Sequence, residues 1–161
     1  MSGARMIWRV WFYCSVVLVV LPCAASSGDY EELAPLTVLA EKHRDTNDQT
    51  YLHLIQVRCA GVLFNVANVF EISGMDGQAQ SLKVLTVGLM QQAEKSFLEK
   101  VVSPDVDDQR RAKETTLEEV QRYNLLVGAR MKRNQERSGD AFGQDSLLMT
   151  EMQFCASFVK G

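Results

Sequence analysis

Two cysteines set far apart, Cys59 and Cys155, constrain this chain more than any other feature. The chain holds four, but Cys14 and Cys23 fall in an N-terminal stretch with the anatomy of a secretory leader. Arg5 and Arg9 give it a positive start, Val10 to Leu21 an apolar middle, and Pro22 to Ser27 a small-residue exit. Cleavage after Ala25 puts Cys23 and Ala25 at the two small positions. Residues 1–25 are therefore read as a signal peptide and 29–161 as a single helical domain. Two alternatives stay open. No charge occurs from Val10 to Gly28, which suits an uncleaved anchor, although the apolar part is shorter than the roughly 20 residues of a membrane span. Cys23 is also a candidate lipidation site, with Pro22 where such signals need a small residue. All three readings export the domain, to the periplasm in a Gram-negative source and otherwise to the outside.

In an oxidising compartment an even pair of cysteines is most simply a disulfide. Two buried free thiols and an intermolecular bridge are the alternatives. An intramolecular bridge would close a loop of roughly one hundred residues and restrict the unfolded chain by about 4–5 kcal/mol in the entropy model. No CxxC is present to make the pair redox-active.

The mature chain reads as all-α, because apolar residues recur at helical spacing and no strand alternation competes. Asp29 to Arg44 suits a short helix or extension, with Pro35 in its first turn. Thr46 and Gln49 are spaced as a capping box before the most apolar run, Tyr51 to Ile72, with Leu52, Ile55, Cys59, Val62, Val66 and Val69 on its core face. Asp76 is expected to cap a second helix reaching about Val102, with Leu82, Leu85, Leu89, Ala93 and Phe97 inward. Ser103-Pro104-Asp105 starts a third, which carries Leu117, Val120, Asn124, Val127 and Met131 and stops at Ser138-Gly139. Asp145 caps the last, where Leu148, Met152, Cys155 and Val159 share a face. Short turns between four long helices make a four-helix up-down bundle the expected fold. In such a bundle the first and last helices are neighbours, so a Cys59–Cys155 bridge and the bundle support each other.

Charge narrows the function. Without Arg5 and Arg9 the mature part has 15 basic and 20 acidic side chains, a formal charge of −5. That balance gives no phosphate-driven affinity and disfavours nucleic acid. His43 and His53 are the only histidines and lack metal-ligand spacing, so both are read as surface or boundary residues, and neither a metal nor a cofactor is expected. Glu136, Asp145 and Thr150 have a spacing similar to the Glu–Asp–Thr set of phage-type lysozymes. The threonine is one residue short and the set straddles a loop late in the chain, so it is read as chance. Glu118 and Glu119 are adjacent and point to different sides of a helix.

Three features remain as binding candidates. Along the first long helix, Arg58, Gly61, Asn65 and Asn68 form a stripe with Phe64 beside it. Its plain reading is a solvated stripe or one covered by the N-terminal segment; its functional reading is a binding surface. Gly61, Gly88 and Gly128 lie mid-helix, marking close helix crossings or an interhelical pocket. Arg130, Arg133 and Arg137 align near the end of the third helix, where they complement its dipole or form a docking patch for an acidic partner or anionic lipid. The expected function is an exported, non-enzymatic interaction protein: an adaptor, inhibitor, assembly factor or chaperone-like module whose partner is another protein or a second copy. The alternative is a carrier of an anionic or amphiphilic small molecule, with Arg58 on the head group.

Overall fold

A computed structural model describes residues 33–143 and 145–159 and contains five helices, α1 (Leu36–Thr46), α2 (Gln49–Ile72), α3 (Asp76–Leu98), α4 (Val106–Ser138) and α5 (Ser146–Phe158). The expected leader, residues 1–25, lies outside the described residues. Of the two expectations for the N-terminal segment, the short helix is the one found, so the described residues hold four helices preceded by the short α1.

Local chemistry sets the boundaries. Asn47 takes the left-handed conformation at φ 52° and ends α1, and Thr46 turns its hydroxyl back onto the Lys42 carbonyl at 2.7 Å. The expected Thr46–Gln49 capping box does not form. Asp48 caps α2 instead, accepting from the Thr50 N–H at 2.8 Å, and these hydrogen bonds hold its carboxyl below the ordinary range. Met75, not Asp76, is the N-cap of α3, and Asp76 stands in its first turn. The helix ends at Leu98, short of Val102. Asp105 caps α4 through a reciprocal box with Asp108, displacing Ser103, whose φ of 58° takes it out of the cap geometry. Gly139, at φ 75°, closes α4, and Asp145 caps α5 through the Leu148 N–H, both as the sequence predicts.

α2 is the hub and packs against all four other helices. Hydrogen bonds from His53 to the Ala93 carbonyl and from Lys83 to Glu71 set α3 antiparallel to it. The contacts of His53 with Glu119 and of Asn65 with Asn124 set α4 parallel to it. By length and apolar composition α2 would cross a membrane, yet two thirds of that stretch is buried by its neighbours. Burial on nearly all sides explains why it is apolar nearly all round.

The inner faces depart from the sequence reading in two places. On α4 the buried row is Ala112, Thr116, Val120, Tyr123, Val127 and Met131, while Leu117 is 44% exposed. On α3 Leu89 and Ala93 are buried but Leu85 is 38% exposed. Leu85 faces outward because α3 packs on α2 and α4, and among the described residues no helix covers its third side.

Candidate functional site

The stripe on α2 is interior structure. Arg58, 2% exposed, donates from Nε to Glu151 Oε2 at 3.2 Å, from Nη2 to Glu151 Oε1, and from Nη1 to the Ala34 carbonyl at 2.6 Å. A guanidinium forks onto a carboxylate in two places, the geometry in which a buried charge pair is best satisfied. Neither a solvated stripe nor a binding surface survives at Arg58. The segment before α1 covers it on one side, in line with the reading of N-terminal cover, and α5 supplies its counter-charge.

The pair has a sequence logic. Arg58 precedes Cys59, and Glu151 lies one helical turn before Cys155. The Cys59–Cys155 disulfide is formed, with Cα atoms 5.3 Å apart across 96 residues. Once the cysteines are paired, arginine and glutamate are brought face to face. Glu151 is the one charged residue in α5, a signal that would have found it.

Gly61 serves a close crossing. A Cβ there would lie 2.9 Å from both the Asn124 backbone nitrogen and the Tyr123 Cβ. Half-buried Asn65 donates to the Gly61 carbonyl at 3.0 Å and to Asn124 Oδ1 at 2.7 Å, and a Cβ on Gly128 would lie 3.1 Å from its Oδ1. Two of the three mid-helix glycines therefore mark the α2–α4 seam. Asn68 is half-buried beyond it, and Phe64, 36% exposed, is the member of the stripe that reaches solvent.

His53 overturns its expectation as a surface or boundary residue: it is 4% exposed and joins three helices. Its Nδ1 stands 2.9 Å from the Ala93 carbonyl and its Nε2 2.5 Å from Glu119 Oε2, with the Phe97 ring edge-on. A carbonyl only accepts, so Nδ1 donates, and a single proton lies between Nε2 and the carboxylate. His43, by contrast, meets the Asp48 carbonyl at the surface.

The arginine row of α4 divides. Arg130 is nearly buried and holds Asp145 at 2.5 and 2.7 Å, with Asn134 adding a third hydrogen bond at 3.0 Å. Burial opposes ionisation of Asp145, but the bonds from Arg130, Asn134 and the Leu148 N–H prevail and bring its pKa down to about 2. Arg133 and Arg137 stay exposed, so no three-residue basic patch exists. Asp145 is also committed to capping α5, which removes it from any lysozyme-like set. Among the described residues no three His, Cys, Asp or Glu side chains gather where a metal would sit.

The open surface lies on α3. Val84 and Val87 are 62% and 53% exposed, and nothing stands within 4 Å of a Cβ built on Gly88. Beside this face runs a groove of about 510 Å³ between α2, α3 and the end of α5. Leu52 and Gln56 contribute from α2, Gly88 and Leu89 from α3, and Phe158, stacked on Phe154 at 6.0 Å between centroids, from α5. The groove exists because α3 and α5 both flank α2 with no packed seam between them. The sequence reading placed Leu85 in the core but named Gly88 among the marks of an interhelical pocket, and Gly88, with nothing within 4 Å of an added Cβ, does line this groove. Comparison of the chain with family models, curated proteins and solved structures finds no match.

Proposed function

We propose that this chain is an exported, non-enzymatic helical protein that acts by contact with another protein, through the outward face of α3. The exposed apolar row Val84, Leu85 and Val87 carries the reading. These residues sit on one helix, beside a glycine that admits close approach, and exposed apolar side chains grouped in this way mark contact surfaces more often than scattered ones do. The charged groups of the interior, Arg58, Glu151, Arg130 and Asp145, are engaged in holding helices together. A carrier that grips an anionic head group on Arg58 draws no support from this arrangement, since Glu151 already occupies the guanidinium. Export rests on residues 1–25 read as a cleaved leader, and a disulfide between α2 and α5 is compatible with an oxidising compartment.

A photo-crosslinking amino acid at Val87 should trap a partner or a second copy in intact cells, while the same group at Arg111, exposed on α4, should trap none. Val87→Asp should abolish the cross-link formed from Val84 without lowering the melting temperature. Equal cross-linking at Val87 and Arg111 would reject the surface. The mass of the exported protein should begin at Ser26; retention of residues 1–25 would reject cleavage.

A further inference from the structure

We propose that the groove between α2, α3 and α5 binds an uncharged, hydroxyl-bearing amphiphile. Three observations point there. The groove, at about 510 Å³, is within the size range of small-molecule sites, roughly 300–1,000 Å³. Its walls are mostly apolar, with Leu52, Leu85, Leu89 and Phe158 among them; Gln92 adds a polar side chain at the rim, and among the described residues no charged side chain lines it. Gln56 also lines it: this side chain is 4% exposed, and its Oε1 has no hydrogen-bond partner among the described residues.

The chemistry of the ligand follows from those walls. A buried amide oxygen without a partner is rare and calls for a hydrogen-bonding group from elsewhere. A carboxylate or phosphate head is disfavoured, because a charge taken into this groove finds no opposite charge to offset its lost hydration. A hydroxyl both donates and accepts, so it answers the Gln56 carboxamide whichever way the amide is turned. The apolar body of the ligand then covers Leu52, Leu85 and Phe158. The disulfide anchors the wall from the α5 side, since Cys155 precedes Phe158 by one turn. This inference goes beyond the proposed protein contact: Val84 and Leu85 border both surfaces, but Val87 belongs to the outer face of α3 alone and Gln56 to the groove alone, so the two can be tested apart.

The test uses two ligands with one chain length and different heads, octan-1-ol and octanoate, titrated into the purified disulfide-bonded protein and followed by amide NMR. Octan-1-ol should shift the Gly88 backbone amide and the Gln56 side-chain amide saturably, and octanoate should bind at least tenfold more weakly. Gly88→Leu, which places a side chain into open space, should abolish the shifts. Val84→Phe, at an exposed edge of the same groove, is a second plug should the first variant misfold. Gln56→Met keeps the length and removes the amide; it should weaken octan-1-ol three- to tenfold and leave octanoate unchanged. Equal binding of the two ligands, octan-1-ol shifts that survive both plugs, or no saturable shift at Gly88 would overturn the proposal. Loss of cross-linking at Val87 with octan-1-ol binding intact would reject the protein contact alone.

Discussion

The two sides of α2 were built to different ends. Toward α4 and α5 it presents Arg58, Gly61 and Asn65, and each of these is met by a fitted partner: a carboxylate, a backbone, an amide. Toward the α3–α5 gap it presents Leu52 and Gln56, and there the apolar wall is open and an amide oxygen has no partner among the described residues. Polar residues in an apolar helix suggest a binding stripe, yet here they are what locks the helices. The mostly apolar side is where the molecule has room. Polarity on a buried helix marks a demand for partners inside the fold, whereas unspent apolar surface marks a demand that the fold leaves unmet.

The strongest test of that contrast is on the locked side. Arg58→Met should destabilise the protein by about 3–5 kcal/mol, because Glu151 is then a buried carboxylate without its counter-charge. The double variant Arg58→Met, Glu151→Leu should recover much of that loss, since it leaves no charge behind. Urea unfolding of the two singles and the double, read as a mutant cycle, measures the coupling. A double variant as unstable as the sum of the singles would mean that packing, not charge, fixes α5 to α2.

Replacing both cysteines, Cys59→Ala with Cys155→Ala, should lose about 2–4 kcal/mol. The effect should be uneven. α5 packs on α2 and α1 and is the shortest helix after α1, so its amides should exchange sooner than those of α3 once the bridge is gone. Uniform acceleration across α3 and α5 would show that the two sides of α2 are equally held, contrary to the comparison.

How much of this was legible in the sequence depended on whether one residue or a pair had to be read. Single-residue signals worked in part: Gly139 and Asp145 end and begin helices where expected, whereas Asp76 and Ser103 yield their caps to the neighbouring Met75 and Asp105. Signals that require knowing which helices touch did not. Leu85 and Leu117 have helical spacing with true core residues, but which flank of α3 or α4 is covered is a tertiary fact that periodicity lacks. Thr46 is a good capping residue, and Asn47 in the left-handed conformation still gave the cap to Asp48. His53 is an ordinary histidine by spacing. Its burial rests on Ala93 and Glu119, 40 and 66 residues away. Arg58 was visible as an anomaly, and its answer, Glu151, became readable only through the disulfide.

The corner between α4 and α5 extends the locked side and gives it a pH signature. Asp145 titrates at about 2 in the folded protein against an ordinary 3.8, so the stability it contributes is present above about pH 4 and is lost as the pH falls toward 2. Asp145→Asn should cost about 2 kcal/mol at neutral pH, the scale of a charge-assisted cap and ion pair together. Below about pH 2 the variant and the wild type should melt together. Thermal unfolding across this range, from neutral pH downward, checks this. A stability difference that persists at the lowest pH would show that the introduced asparagine fails as a cap for steric and not ionic reasons.

The smallest effects set the sharpest version of the contrast, because one substitution is made on both sides. Alanine for glycine in a helix interior gains about 1 kcal/mol when nothing opposes it. At Gly88 nothing does, so Gly88→Ala should stabilise the protein by that amount. At Gly61 the new methyl meets the α4 backbone at 2.9 Å, a contact that no side-chain rotation relieves. Overpacking of this kind costs about 1–3 kcal/mol, which exceeds the propensity gain across most of its range. Gly61→Ala should therefore be destabilised by about 1 kcal/mol net. The two variants should move the urea midpoint in opposite directions. If both stabilise, α4 can slide away from α2 and the seam is looser than its hydrogen bonds imply. If both destabilise, Gly88 is serving a contact within the chain, and the room beside it is not open.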